Sequence, residues 1–245
     1  MAGVAMATAA AWLDLWHRAG AMMRMSGAGM DLAMAAPAPW SVPELIAAGV
    51  MWSVMMTAMM LPSATPMLML FSAAQRTRGS QAAGGSPAVL FAAGFVLLWV
   101  AWSWLAAGVQ WTLQASLALS PQLTVARMPL AAAILGVAGL YQFTPLKEAC
   151  LARCRSPLGF LLSEWRGGPA GALNMGVRYG AFCAGCCWAL MGLLFVVGVM
   201  NLLWIAVLSV FVLIEKTVLR GPWPGRVIGA ALIVWAVYLL RAPAM

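Results

Sequence analysis

Tyr179 to Ile214 reads YGAFCAGCCWALMGLLFVVGVMNLLWIAVLSVFVLI and contains no charged residue. An α-helix rises about 1.5 Å per residue, so this run would extend about 54 Å, against a bilayer hydrocarbon core about 30 Å thick. One span cannot hold it. A turn is expected near Gly198-Val-Met-Asn201, which divides the run into two consecutive membrane-crossing helices. That reading makes the chain a polytopic α-helical membrane protein.

The rest of the sequence agrees. Hydrophobic residues make up 64% of the 245 and charged residues 8%, whereas soluble domains carry about 25% charged residues. The apolar runs are continuous rather than alternating, which argues against a transmembrane β-barrel. The net charge of +8 is not a nucleic-acid signature, because the basic residues sit in short loops between apolar runs, where they set orientation.

Working outward, the first span begins near Leu45 and runs to Leu61 or beyond. Ser41 and Glu44 resemble a capping box with Pro43 in the first turn. Pro62 and Pro66 are expected to kink or break this helix. A second span runs from about Pro87 to Gly108 and a short third from about Pro129 to Thr144. The loop Pro145 to Pro169 is basic, and Ser156 to Trp165 suits a short amphipathic helix on the membrane surface. Gly221-Pro-Trp-Pro-Gly225 breaks the chain before a sixth span from about Val227 to Leu240.

About six spans are therefore expected over residues 44–241. The loops carrying Arg76 and Arg78, Lys147 to Arg166, and Lys216, Arg220 and Arg226 share one side, the cytoplasmic one. Both termini then lie outside, and residues 1–43 form a methionine-rich exterior segment. Ala2 to Leu13 is apolar but short for a span, and it lacks the basic start of a signal peptide.

Sulfur marks the functional candidates. Met51-Trp-Ser-Val-Met-Met-Thr-Ala-Met-Met-Leu-Pro62 holds five methionines. Met55 pairs with Met59, and Met56 with Met60, at the i, i+4 spacing of one helix face. Cys183, Cys186 and Cys187 stand at i, i+3 and i+4. Thioethers and thiolates are soft ligands that favour Cu(I). Met22, Met23, Met25, Met30 and Met34 add thioethers ahead of the first span.

Cys150 and Cys154 share a face if their loop is helical, beside Arg153 and Arg155, and read either as a cytoplasmic exit or entry site or as an ordinary basic juxtamembrane loop. The plainer alternatives are methionine as a filler of irregular packing and cysteine as a small hydrophobe. His17 is the only histidine, which excludes a histidine-built zinc site and a Ser-His-Asp triad. No P-loop, dinucleotide fingerprint or HExxH is present. Arg178, Glu215 and Lys216 read as snorkelling residues at span ends.

The chain resembles a bacterial family of predicted metal-binding integral membrane proteins. The resemblance covers roughly residues 45 to 220. It rests on Met51 to Ser63, on Tyr141-Gln-Phe-Thr-Pro-Leu-Lys-Glu-Ala-Cys150 with Cys154-Arg-Ser-Pro157, and on Gly180 to Met191 around Cys183-Ala-Gly-Cys-Cys-Trp188. Gly198 to Asn201 and Glu215-Lys216 also fit. The hydrophobic segment ahead of Met51 is shorter than is usual in that family.

The expected function is binding, with transport or delivery, of a soft metal ion, Cu(I) foremost, and no enzymatic activity. The setting is a multi-pass protein of the bacterial inner membrane. Its partners are the lipid bilayer and, for delivery, another membrane protein or a copper chaperone, with no nucleic acid. Two rivals stand beside it. One is a structural subunit that uses the sulfur clusters and the small faces of Gly176, Gly180 and Ala184 for packing. The other is a thiol-redox enzyme using Cys186 and Cys187, disfavoured because adjacent helical cysteines are poorly placed for an unstrained disulfide.

Overall fold

The computed structural model describes residues 6–17, 20, 42–77, 87–116, 124–125, 127–219 and 221–241. Residues 6–17 are helical and form α1. There follow α2 (Val42–Thr77), α3 (Pro87–Ala115), α4 (Met128–Tyr141), α5 (Pro145–Arg155), α6 (Pro157–Glu164), α7 (Gly168–Met191), α8 (Leu194–Val197), α9 (Leu202–Thr217) and α10 (Trp223–Arg241). The protein is all-α, as its continuous apolar runs imply. Ser41, with its capping role, and Met22, Met23, Met25, Met30 and Met34 lie outside the described residues.

The number of spans differs from expectation. Among the described residues four helices are long and apolar enough to cross a membrane: α2, α3, α7 with α8, and α10. A fifth exists if α4 and α5, bent by 63° at the break between them, form one broken span. The remaining candidate, α9, has only 16 residues, about 24 Å of helix.

Chain direction can still be followed through the contacts. Trp52 of α2 hydrogen-bonds Gln110 at one end of α3, and Phe71 stacks on Phe91 at the other, so α2 and α3 are antiparallel. Gly176 and Gly180 of α7 lie against Phe91 and Phe95 of α3, which makes that pair parallel. Phe195 meets Trp52, and Val125 N–H donates to Phe195 O at 2.8 Å, so α8 and the start of α4 return to the level where α2 begins. From there α9 descends to place Lys216 beside Ser63, and α10 climbs antiparallel to α4, with Gly229 against Gly139. The start of α2 and the end of α10 thus lie at the same end of the bundle.

Pro62 and Pro66 lie inside α2, which continues through both. A proline has no N–H for the carbonyl four residues earlier. For Pro62 that carbonyl is Ala58 O, and it accepts a hydrogen bond from Trp12 Nε1 of α1 at 3.3 Å. The N-terminal helix, with Leu15 in the core, thereby supplies the donor that the proline removes. In an apolar medium such a replacement is what lets a proline stay within a helix.

The expected basic loop after α4 is two helices. Pro145 cannot continue α4, and Thr144 caps α5 by accepting from the Lys147 N–H. Ser156 does the same for α6 through the Gly159 N–H. The α6 helix does not simply lie on a surface: Phe160 is fully buried and meets Tyr179 edge-on. The turn expected near Gly198 is present, with Gly198 at φ 102°, a conformation that favours glycine.

The small faces of α7 are occupied within the chain. A Cβ at Gly176 would strike Phe91 O, and one at Gly180 would press on Leu98. The surface assigned to a partner protein by the rival reading is the α3–α7 seam. Apolar side chains such as Leu97, Leu105, Val137, Leu203 and Val234 remain exposed, as a bilayer-facing surface requires.

Candidate metal centre

Met55, Met56, Met59 and Met60 of α2 are all fully buried, at 0–1% exposure. So are Cys183, Cys186 and Cys187 of α7, at 1% each. The two clusters meet: Cys187 Sγ lies 3.9 Å from Met60 Sδ. Met56 stands one turn before Met60 on the same face of α2.

The thiols on α7 also turn inward on their own helix. Cys186 and Cys187 donate to the Cys183 carbonyl at 3.1 and 3.0 Å. Such bonds satisfy a thiol in an apolar core within its own helix.

Cys150 and Cys154, read from the sequence as a cytoplasmic exit or entry site, lie against the α7 cluster. The bend after Tyr141 folds α5 against α7, so Cys154 is 4% exposed and lies close to Cys186. Cys150 rests against Gly185, where an added Cβ would fall 2.7 Å from its Sγ. Tyr141 secures this contact by donating to the Gly185 carbonyl at 2.5 Å. The neighbouring arginines serve the scaffold instead. Arg153 lies over the Phe182 ring and reaches Ser163, while Arg155 donates to the Glu215 and Gly221 carbonyls.

The reading of Glu215 and Lys216 as snorkelling residues is corrected. Glu215 is 1% exposed and Lys216 6%. Lys147 Nζ donates to Glu215 Oε1 at 2.6 Å and also to Gln142 Oε1, and Gly225 of α10 closes over the three groups. Lys216 Nζ donates to Cys183 Sγ at 2.9 Å and to Ser63 Oγ at 3.3 Å. Sequence reasoning missed this lysine because a basic residue closing an apolar run looks the same whether it reaches out to water or folds inward. Arg178 does find an acidic partner, Glu164, at 2.9 Å.

Four thiols from α5 and α7, one thioether from α2 and one ammonium from α9 therefore share an apolar interior. Among the described residues no three side chains of the His, Cys, Asp or Glu type converge as a ready metal-binding group. Cys187 instead lies against Met60, and Cys186 lies close to Cys154. That donor set fits a soft monovalent ion, which accepts two thiolates in line or two with a thioether. It does not match the closed four-ligand shell of a structural zinc.

Fold and site together define an all-α protein suited to a membrane, with soft sulfur donors gathered inside it. The model of the PpoB2 family, described as a copper chaperone, matches residues 49–239, more than three quarters of the chain. The chain belongs to that family. No curated protein and no solved structure matches it significantly.

Proposed function

We propose that this protein is a membrane-embedded Cu(I) carrier that takes the ion through thioethers, holds it on thiols and hands it on without chemistry of its own. One observation supports this above the others: Met60 lies 3.9 Å from Cys187, and Cys154 lies close to Cys186, so that sulfur from three helices is buried together. Packing alone does not call for sulfur from three helices at one place, whereas Cu(I) does. The copper-chaperone description of the family agrees with the reading.

An open cleft of about 400 Å³ lies between α1 and α2, lined by Ala10, Ala11, Asp14, Ser53, Val54 and Thr57. Ser53, Thr57 and Met60 follow one another at i, i+4 and i+7, a single stripe of α2. The cleft therefore ends one turn above the thioether that touches Cys187, and it is the inlet in this reading. By the excess of Lys and Arg at the opposite end of the bundle, the inlet faces the exterior of a bacterial inner membrane.

The test is a titration of the purified full chain with Cu(I) against a chromophoric chelator. One tightly held Cu(I) per chain is expected, and Cys183, Cys186 and Cys187 changed together to Ser should abolish it. A wild-type protein that takes up no Cu(I), or a triple variant that binds as before, overturns the proposal.

A further inference from the structure

We propose that Cys150 is the release thiol of the site, the side chain through which Cu(I) passes from the α7 thiols to a soluble, thiol-bearing acceptor on the cytoplasmic side. This rests on the Cu(I) reading above and deepens it.

Four of the five cysteines are buried, out of reach of any acceptor, and only Cys150 is half-buried. Its Sγ nevertheless rests on α7. The helix offers no side chain at Gly185, where a Cβ would fall 2.7 Å from that sulfur. Gly185 stands next to Cys186, and the Cys150 thiol lies close to the Cys186 thiol. Cys154, one turn further along α5, lies close to the same thiol. Two sulfurs of α5 thus adjoin Cys186, one enclosed and one open. Met60 approaches the neighbouring Cys187, on the stripe of α2 that leads from the α1–α2 cleft. Entry and release therefore use different thiols of α7.

The open side of Cys150 meets water and not acyl chains. Arg153, three residues on along α5, is exposed. Glu148 pairs with Arg226 of α10 at 3.0 Å, with 41% and 52% of their side chains exposed. Charged groups are expensive in hydrocarbon, so this edge of α5 lies at the membrane surface. It belongs to the basic end of the bundle, the cytoplasmic one.

Release is a ligand exchange. A Cu–S bond to Cys150 forms as the Cu–S bond to Cys186 breaks, and any proton on the incoming thiol passes to the departing one. A second exchange of the same kind moves the ion from Cys150 to a thiol of the acceptor. The number of thiolates stays constant, copper remains Cu(I), and no electrons change hands.

The test separates rate from affinity. The full chain in lipid nanodiscs is loaded with one Cu(I) and mixed with bathocuproine disulfonate, a water-soluble Cu(I) chelator, whose absorbance follows the transfer. Equilibrium competition with the same chelator gives the affinity. Cys150→Ser should slow transfer about 10–100-fold, the usual effect of losing a neighbour of a metal site. It should lower affinity far less, because a ligand occupied only in passage contributes little to the bound state. Gly185→Ala keeps all five thiols and displaces the Cys150 sulfur from α7, so it should slow transfer as well.

A charged, membrane-impermeant maleimide added to inside-out vesicles should modify Cys150, and Cys150→Ser should abolish the labelling. Unchanged transfer by Cys150→Ser, an equal loss of affinity and rate, or a Cys150 closed to the maleimide overturns the inference. Absence of Cu(I) binding by wild type would instead overturn the function on which it rests.

Discussion

At the scale of the residue, Met60 is the methionine whose sulfur reaches a thiol, while Met55, Met56 and Met59 are as deeply buried around it. Exchange of methionine for leucine conserves volume and costs less than about 1.5 kcal/mol of packing. Met60→Leu should therefore leave the thermal transition of the protein almost unchanged while it weakens Cu(I) binding about tenfold, in keeping with the loss of one soft donor. Equal weakening by Met55→Leu would show that the thioethers act as bulk and not as ligands. The candidates of this kind were legible in the sequence because sulfur at i, i+3 and i+4 is visible without a fold. Two things were not. The closeness of Cys154 to Cys186 depends on the 63° bend between α4 and α5, which no local spacing reports. Lys216 was hidden for the opposite reason: its position at the end of an apolar run has a common and adequate explanation at the membrane surface.

At the scale of the element, α5, α9 and α10 are tied by the buried Lys147–Glu215 pair beneath Gly225. Removal of one partner of such a pair strands a charge in the interior and costs about 3–5 kcal/mol, whereas replacing both by apolar groups can be nearly neutral. Glu215→Gln should lower the thermal transition sharply, and Lys147→Met with Glu215→Leu should recover most of the loss, as read by scanning fluorimetry in detergent. If the double variant is no more stable than the single, the pair is not what joins these helices. Arg155, which bonds the Glu215 backbone carbonyl and not its side chain, should be indifferent to both changes. The α2 helix carries a related lesson. Two prolines in an apolar run read as a break, yet the helix passes through both, and for Pro62 the missing donor comes from Trp12, 46 residues from the freed Ala58 carbonyl. Breakers are visible in a sequence, but remote compensation for them is not. Where compensation is local, as with Thr144 before Pro145 and Ser156 before Pro157, the helix starts could have been read directly.

At the scale of the whole molecule, the question is whether α9 counts as a crossing. It has 16 residues, about 24 Å, short of a hydrocarbon core about 30 Å thick. Its lower end is Glu215-Lys216, and both side chains turn inward to Lys147 and Cys183 instead of out to headgroups. Burial of this kind lets a short helix stop within the protein, while Thr217 to Pro222 carry the chain onward to α10. The composition could show that the 36-residue α2 and the uncharged run after Tyr179 belong in a membrane. It could not show how far down α9 reaches, because helix length and depth are separate quantities. The contacts give α9 the direction of a crossing: it leaves the level of Trp52 and Phe195 and arrives at that of Ser63, beside the basic α5. A reporter enzyme active only outside the cytoplasm, fused after Arg241, should therefore be active, and the same reporter fused after Trp165 should be silent. If α9 merely dipped and returned, the chain would make five passes, and the two fusions would report the same side. The charge distribution points the same way, since Arg76, Lys147, Arg153, Arg166 and Arg226 gather at the end opposite the one where α2 begins, and a crossing by α9 keeps them on a single face of the bilayer.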